Sequence, residues 1–207
     1  IYQNIDLSNF KVVELDKNNL NDYVDFKRIK NLTKDTNLLT CHISDLIRTE
    51  LLIRYGGLWV DSTMYFTKNI PKEIIDSDFF VFRITQKNVA RVASNQFIFA
   101  KNPNNNFLEK IYNILNLYIS KYKRTLSYSF YHYIFSILYY RHYPFLFNKT
   151  ISLSSDLPHK LIETINVNTE EKKIKAILDS FFIHKLNHKL YLKKEMDYLL
   201  NILDKKY

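Results

Sequence analysis

Only two glycines occur in the 207 residues, and they are adjacent, at Gly56 and Gly57. A chain that otherwise does without glycine concentrates its backbone freedom at that one point, which other residues cannot easily occupy. Before the pair, Ile43, Leu46, Ile47, Leu51, Leu52 and Ile53 give a nearly continuous apolar helix signal, and Gly56 stands where a left-handed C-cap belongs. After it, Leu58, Trp59 and Val60 read as a short strand that runs into Asp61-Ser62-Thr63. If the extended backbone continues, alternation puts Trp59, Asp61 and Thr63 on one face. An aromatic ring, a carboxylate and a hydroxyl emerging together at a strand end have the character of a site rather than a core.

Within the helix, Asp45 and Arg48 are three residues apart and share a face. Two readings stand side by side. An exposed helix-surface ion pair is commonplace and contributes little. This helix is apolar around most of its circumference, however, and a covered charged pair needs compensating polar groups, of which a ligand is one source. Glu50 and Arg54 form a separate (i, i+4) pair on another side. Asp61 also has two readings. Open α/β sheets place ligand-binding residues at the C-terminal ends of central strands, and a hard cation such as Mg²⁺ or Mn²⁺ favours carboxylate and phosphate oxygens. An Asp after a strand is equally an ordinary turn-starter.

The six histidines, His42, His132, His142, His159, His184 and His188, show no zinc-type spacing. There is no G-x-S-x-G, P-loop or G-x-G-x-x-G, and two glycines cannot make a glycine-rich phosphate loop. The single Cys41 excludes an internal disulfide and a thiolate metal cluster, fits a reducing compartment, and reads as packing at a helix start. A net charge of +9 favours polyanionic partners: nucleic acid, an anionic membrane surface or phosphate-bearing small molecules. The basic residues are scattered rather than gathered in one motif, so nucleic acid is the least favoured of these.

Elsewhere the chain alternates between the two kinds of signal. Residues 10–15 alternate partly and read as a strand, 16–19 as a turn, 20–29 as a short helix and 30–37 as a loop. Residues 76–85 and 96–100 are strands, with 86–94 as an exposed loop between them. Helical spacing covers 103–122, 127–143, 157–165, 169–178 and 191–203, with a short strand at 150–153, while 179–190 fits neither pattern. The whole reads as one α/β domain without repeats or linkers.

Taken in order, these motifs resemble those of bacterial capsular polysaccharide synthesis glycosyltransferases, relatives of the initiating α-mannosyltransferases and the clostridial glucosylating toxins. Ser44-Asp45-Leu46-Ile47-Arg48 and Tyr55-Gly56-Gly57-Leu58-Trp59-Val60-Asp61-Ser62-Thr63 look like the family's S-D-x-x-R helix, Y-G-G stop, strand and D-x-D motif. Ala93-Ser94-Asn95-Gln96-Phe97-Ile98 is similar to its S-N-x-F-I strand. Ser180-Phe181-Phe182-Ile183-His184-Lys185-Leu186 is similar to its C-terminal S-F-I-H-K-L segment, and residues 128–135 share its aromatic-histidine helix.

The resemblance implies a GT-A-like (Rossmann-like) mixed sheet flanked by helices, with a helical C-terminal part, over a single catalytic domain spanning residues 1–207. It implies a retaining, metal-dependent transfer of a sugar from a nucleotide-sugar donor to a capsular or lipid-linked glycan acceptor. Asp45 and Arg48 would then hold donor-sugar hydroxyls, Trp59 would pack near the nucleotide or sugar, and Asn95 would line the sugar site. Asp61, Thr63 and His184 would hold Mn²⁺ or Mg²⁺, with His184 and Lys185 closing over the diphosphate. Thr63 replaces the second carboxylate of D-x-D with a weaker oxygen ligand. The family's N-terminal nucleotide-binding strand is not evident before Ile1 and is expected to be missing from this sequence. The expected location is the cytoplasm, with peripheral contact at the anionic inner face of the membrane. The alternative is a non-catalytic sugar-nucleotide- or glycan-binding module with a degenerate site.

Overall fold

The computed structural model describes residues 6–8, 10–85, 91–148, 150–165, 168–186 and 193–206. Along the chain it forms α1 (Leu20–Tyr23), α2 (Phe26–Thr33), α3 (Thr40–Tyr55), β1 (Gly57–Val60), β2 (Met64–Phe66), α4 (Lys72–Ile75) and β3 (Phe79–Arg83). There follow β4 (Ala93–Ala100), α5 (Asn106–Tyr122), α6 (Phe130–His142), α7 (Asp156–Thr164), α8 (Glu171–Ser180), β5 (Ile183–Lys185) and α9 (Lys193–Lys206). Helices and strands are thus mixed in one chain, as expected.

Helix α3 contains neither glycine nor proline, and its start is tied back by the Leu39 N–H donating to His42 Nδ1 at 3.3 Å. It is buried on several sides, through His42, Asp45, Leu46, Arg48, Thr49, Glu50 and Leu52. Its end differs from a left-handed cap. Gly56 has φ +66° and ψ −151°, a region essentially reserved for glycine, while its N–H bonds to the Leu52 carbonyl at 3.0 Å. A Cβ there would lie 2.9 Å from the Asn102 carbonyl carbon and 3.0 Å from the Ala100 oxygen. Gly57 follows at φ +84° and opens β1. The two glycines turn the chain from helix to strand directly over the backbone after β4.

One sheet has the order β1-β4-β3, with both pairings antiparallel; β2 and β5 make a second antiparallel pair. Antiparallel neighbours need no helical crossover between them. In the three-stranded sheet β4 is central, so β1 carries Asp61 at the end of an edge strand, not a central one. Sheet alternation builds two cores. Phe79, Val81, Ile98 and Ala100 pack towards α3, α5 and α6, whereas Phe80, Phe82, Phe97 and Phe99 pack with Met64, Phe66, Phe182 and Ile183. Trp59 lies on the first side, against the layer that holds α3. A third cluster, including Leu161, Ile174, Leu178, Leu199 and Ile202, joins α7, α8 and α9 into the expected helical C-terminal part.

Some expected elements differ. Residues 10–15 carry no regular structure, and the adjacent Val12 and Val13 are both exposed, so the partial alternation buried neither face. The helix expected at 20–29 is two short ones, broken before Asp25, whose side chain caps α2 by accepting the Arg28 N–H at 2.9 Å. Residues 150–153 make no strand. Beside them a single parallel bridge joins Arg83 to Ser154, with Leu153 accepting from the Arg83 N–H at 2.9 Å. In the segment expected to be untypeable, residues 183–185 are β5. Of the loop expected at 86–94, residues 86–90 lie outside the described residues, and residues 93–94 already belong to β4.

Candidate active site

The (i, i+3) spacing on α3 does bring Asp45 and Arg48 together, with Arg48 Nε 3.5 Å from Asp45 Oδ1 and both side chains 6% exposed. This is the covered pair, not the surface one, and it has the compensation that burial demands. Arg48 Nη2 donates to Ser44 Oγ at 3.0 Å and Nε to the Ser44 carbonyl at 3.3 Å; Nη1 donates to the Asn95 carbonyl. Its guanidinium also lies over the Trp59 ring, 5.1 Å from the centroid. From β4, the Asn95 amide donates to Asp45 Oδ1 at 2.8 Å. A helix, a central strand and an edge strand therefore converge on one guanidinium.

Asp61 closes the cluster from the end of β1. Its N–H donates to the Gln96 carbonyl at 2.9 Å, extending the β1–β4 edge by one residue. Its Oδ1 accepts from Trp59 Nε1 at 3.0 Å and sits 3.4 Å from Arg48 Nη1. Its Oδ2 sits 3.2 Å from the Lys185 ammonium, supplied by β5. Extended backbone stops at Val60: the Met64 N–H bonds to the Asp61 carbonyl at 2.9 Å and closes a turn. Asp61 is thus both a turn-starter and a member of the cluster. Thr63 lies in that turn with its carbonyl accepting from the Leu186 N–H at 2.6 Å, so the shared-face argument does not apply to it.

His184 and Lys185 point in opposite directions, as neighbours on a strand must. Lys185 reaches Asp61. His184 is fully buried, its Nε2–H donating to the Leu178 and Phe181 carbonyls at 3.1 Å, and the structure leaves it out of the cluster. Of the two residues expected to close over the diphosphate, Lys185 is the one that reaches Asp61, and the Nε2 of His184 is taken up by backbone carbonyls.

The carboxylates are unequal. Burial pushes Asp45 up to about 7, with the Asp61 charge adding to it and with Arg48 and the Asn95 amide working against it. Asp61 is the open one, its side chain 25% exposed. As a cation site the donor set is thin: among the described residues no three His, Cys, Asp or Glu side chains converge. One open carboxylate suits a Mg²⁺ or Mn²⁺ ion that takes its other ligands from phosphate oxygens and water, and does not make a protein-only metal centre.

Two neighbours carried no recognisable sequence signal. Gln96, whose carbonyl holds Asp61, is buried with its side-chain nitrogen lacking a partner among the described residues. Tyr128 is 70% exposed, and its hydroxyl is pushed up by partial burial and then by Cys41, Asp45 and Asp61. Its loop is pinned to α3 by His42, whose Nε2 lies 3.2 Å from the Ser127 carbonyl.

A family model described as capsular polysaccharide synthesis protein matches residues 2–205. The chain belongs to this family. The match reaches every element of the fold and includes Ser44, Asp45, Arg48, Trp59, Asp61, Asn95 and Lys185, and the family's description points to a biosynthetic role in making capsular polysaccharide. Comparisons with curated proteins and with solved structures returned no match. In this capsular polysaccharide synthesis protein no described helix is long and apolar enough to cross a membrane.

Proposed function

We propose that the protein is a glycosyltransferase with a GT-A-like site that moves a sugar from a nucleotide-sugar donor to a capsular glycan precursor, free or lipid-linked. The observation that carries this reading is the convergence of Arg48 and Lys185 on the one open carboxylate, Asp61. Breaking a sugar–diphosphate bond leaves negative charge on the departing phosphate, and cations fixed beforehand where that charge develops lower the barrier. Arg48 is held by Ser44, Asn95 and Trp59, so it needs little reorganisation to act. Lys185 and Arg48 face the diphosphate, Asp45 and the Asn95 amide take sugar hydroxyls, and Trp59 walls the donor. Asp61 would hold Mn²⁺ or Mg²⁺, which would supply further stabilisation of the leaving group. In this reading the transfer is front-face and retaining, with no protein base assigned to it.

The test is release of nucleoside diphosphate from a panel of nucleotide sugars, with and without Mn²⁺. Unchanged turnover in Asp61→Ala removes the role given to Asp61. One feature favours a second reading, a sugar-nucleotide-binding module without turnover: both Asp61 oxygens already face a cation or the Trp59 N–H. That reading requires metal-free donor binding, seen as a thermal shift, and no product.

A further inference from the structure

Eight of the thirteen large apolar side chains exposed among the described residues lie between residues 114 and 145, on α5, α6, the loop joining them and the turn after α6. Leu117, Leu126, Tyr128, Ile137, Tyr140 and Phe145 are each between 53% and 76% exposed. Scattered single exposures need no explanation, but a concentration on one hairpin does. The same stretch has an unusual charge pattern: residues 110–155 contain no Asp or Glu, while Lys110, Lys121, Lys123, Arg124 and Arg141 are all exposed.

The hairpin presents these groups together. Helix α5 buries Phe107, Ile111, Leu115 and Ile119, and α6 buries Phe130, Ile134, Phe135 and Leu138, all in the same core. Tyr118 of α5 packs on Phe130 of α6 with ring centroids 4.6 Å apart, and Phe107 packs on Tyr143 at 5.1 Å, so the helices run side by side. Their outer stripes are turned away from a common core. Lys110, on the outer stripe of α5, lies over the Tyr143 ring at the end of α6, 5.2 Å from its centroid.

We propose that this hairpin is a docking surface for an anionic lipid bilayer. Aliphatic side chains and tyrosines set among cations match the interface between headgroups and acyl chains, where apolar burial and attraction to anionic lipid act together. A polynucleotide would use the cations but has no use for exposed Leu117, Leu126, Ile137 and Phe145. A second copy of the chain would set an acid-free basic face against itself. Neither match is as complete as the lipid one. The loop carrying Leu126 and Tyr128 is tied through Ser127 to His42, one turn before Asp45 on α3, so docking brings that end of the candidate site towards the bilayer. If the transferase reading holds, the acceptor is then carried on a lipid; docking itself does not depend on that reading.

Flotation of the full chain with vesicles tests it without any transfer reaction. Vesicles of phosphatidylcholine and phosphatidylglycerol in equal parts should float the protein at low salt. Phosphatidylcholine alone should not, and high salt should weaken the association. The triple variant Leu117→Ser, Leu126→Ser, Phe145→Ser should partition at least about tenfold less. Its melting temperature should match the parent, because all three side chains are exposed. A second variant, Lys121→Gln with Lys123→Gln and Arg124→Gln, should lose the preference for anionic lipid. Binding equal to the parent in both variants overturns the proposal. So does equal binding to neutral vesicles, oligonucleotide binding that the serine variant retains while vesicle flotation is absent, or a dimer that the serine variant dissolves while vesicles are ignored.

Discussion

Asp45 is buried beside a second carboxylate and pushed up to about 7, against an ordinary value near 3.8. The native state therefore binds a proton that the unfolded chain has released between those two pH values. Stability contributed by Asp45 falls as pH rises through that window, and the cost is fully present above it. Asp45→Asn keeps an oxygen for the Asn95 amide and removes the charge. Its melting temperature should equal the parent's near pH 4 and exceed it by at least about 3 °C at pH 8. A difference that does not change with pH, read by calorimetry across this range, would remove the buried-charge account. Activity should fall in the same variant. Gly56 makes the opposite case, a residue kept for the backbone alone. Gly56→Ala meets a Gly-only conformation and main-chain atoms at 2.9–3.0 Å, and should cost roughly 1–3 kcal/mol or more in denaturant unfolding. A loss under half of that would mean the chain can rearrange at the helix–strand junction.

At the scale of elements, β5 separates two adjacent residues by alternation alone. Lys185→Ala should cut turnover at least tenfold with little change in melting, since its ammonium reaches Asp61 from a strand that stays paired with β2. His184→Ala should do the reverse. It removes a donor from two buried carbonyls and should lower stability by about 1–3 kcal/mol while sparing diphosphate release. Loss of turnover without loss of stability in His184→Ala would restore it to the site. The sequence named both residues, and no spacing rule could tell which faced Asp61. That depends on how β5 registers on β2, a pairing more than a hundred residues apart that a local pattern does not encode. Helix α3 was legible because apolar periodicity and Gly56 both mark it. The edge position of β1 was not, because strand order depends on β4 arriving between β1 and β3. The shared face argued for Thr63 does not hold for a simpler reason: alternation assumes an extended backbone, and a turn forms there.

At the scale of the whole molecule, the antiparallel sheet sits between two apolar layers, and the polar cluster lies where α3 meets the ends of β1 and β5. A second polar network holds α2, α3 and α5 together away from it. Glu50 takes Arg54 at 2.5 Å, Arg28 at 3.2 Å, the Asp25 N–H at 3.1 Å and the Tyr112 hydroxyl. Burial works against its charge, but Tyr112, Asp25 and Arg54 outweigh it and hold the carboxyl below its usual range. That contribution is present above the ordinary carboxylate value and is lost as pH falls through the lowered one. Glu50 was read as half of an (i, i+4) pair, yet it ties three helices. The two buried carboxylates of α3 therefore have opposite effects: one stabilises the fold as a charge, the other as a charge costs it stability. The most direct test of the transferase reading is nucleoside diphosphate release from nucleotide sugars by parent and Asp61→Ala protein, with and without Mn²⁺. The account predicts metal-stimulated release by the parent and a loss of at least about 100-fold in the variant; equal release by the two proteins, or donor binding by the parent with no release, would contradict it.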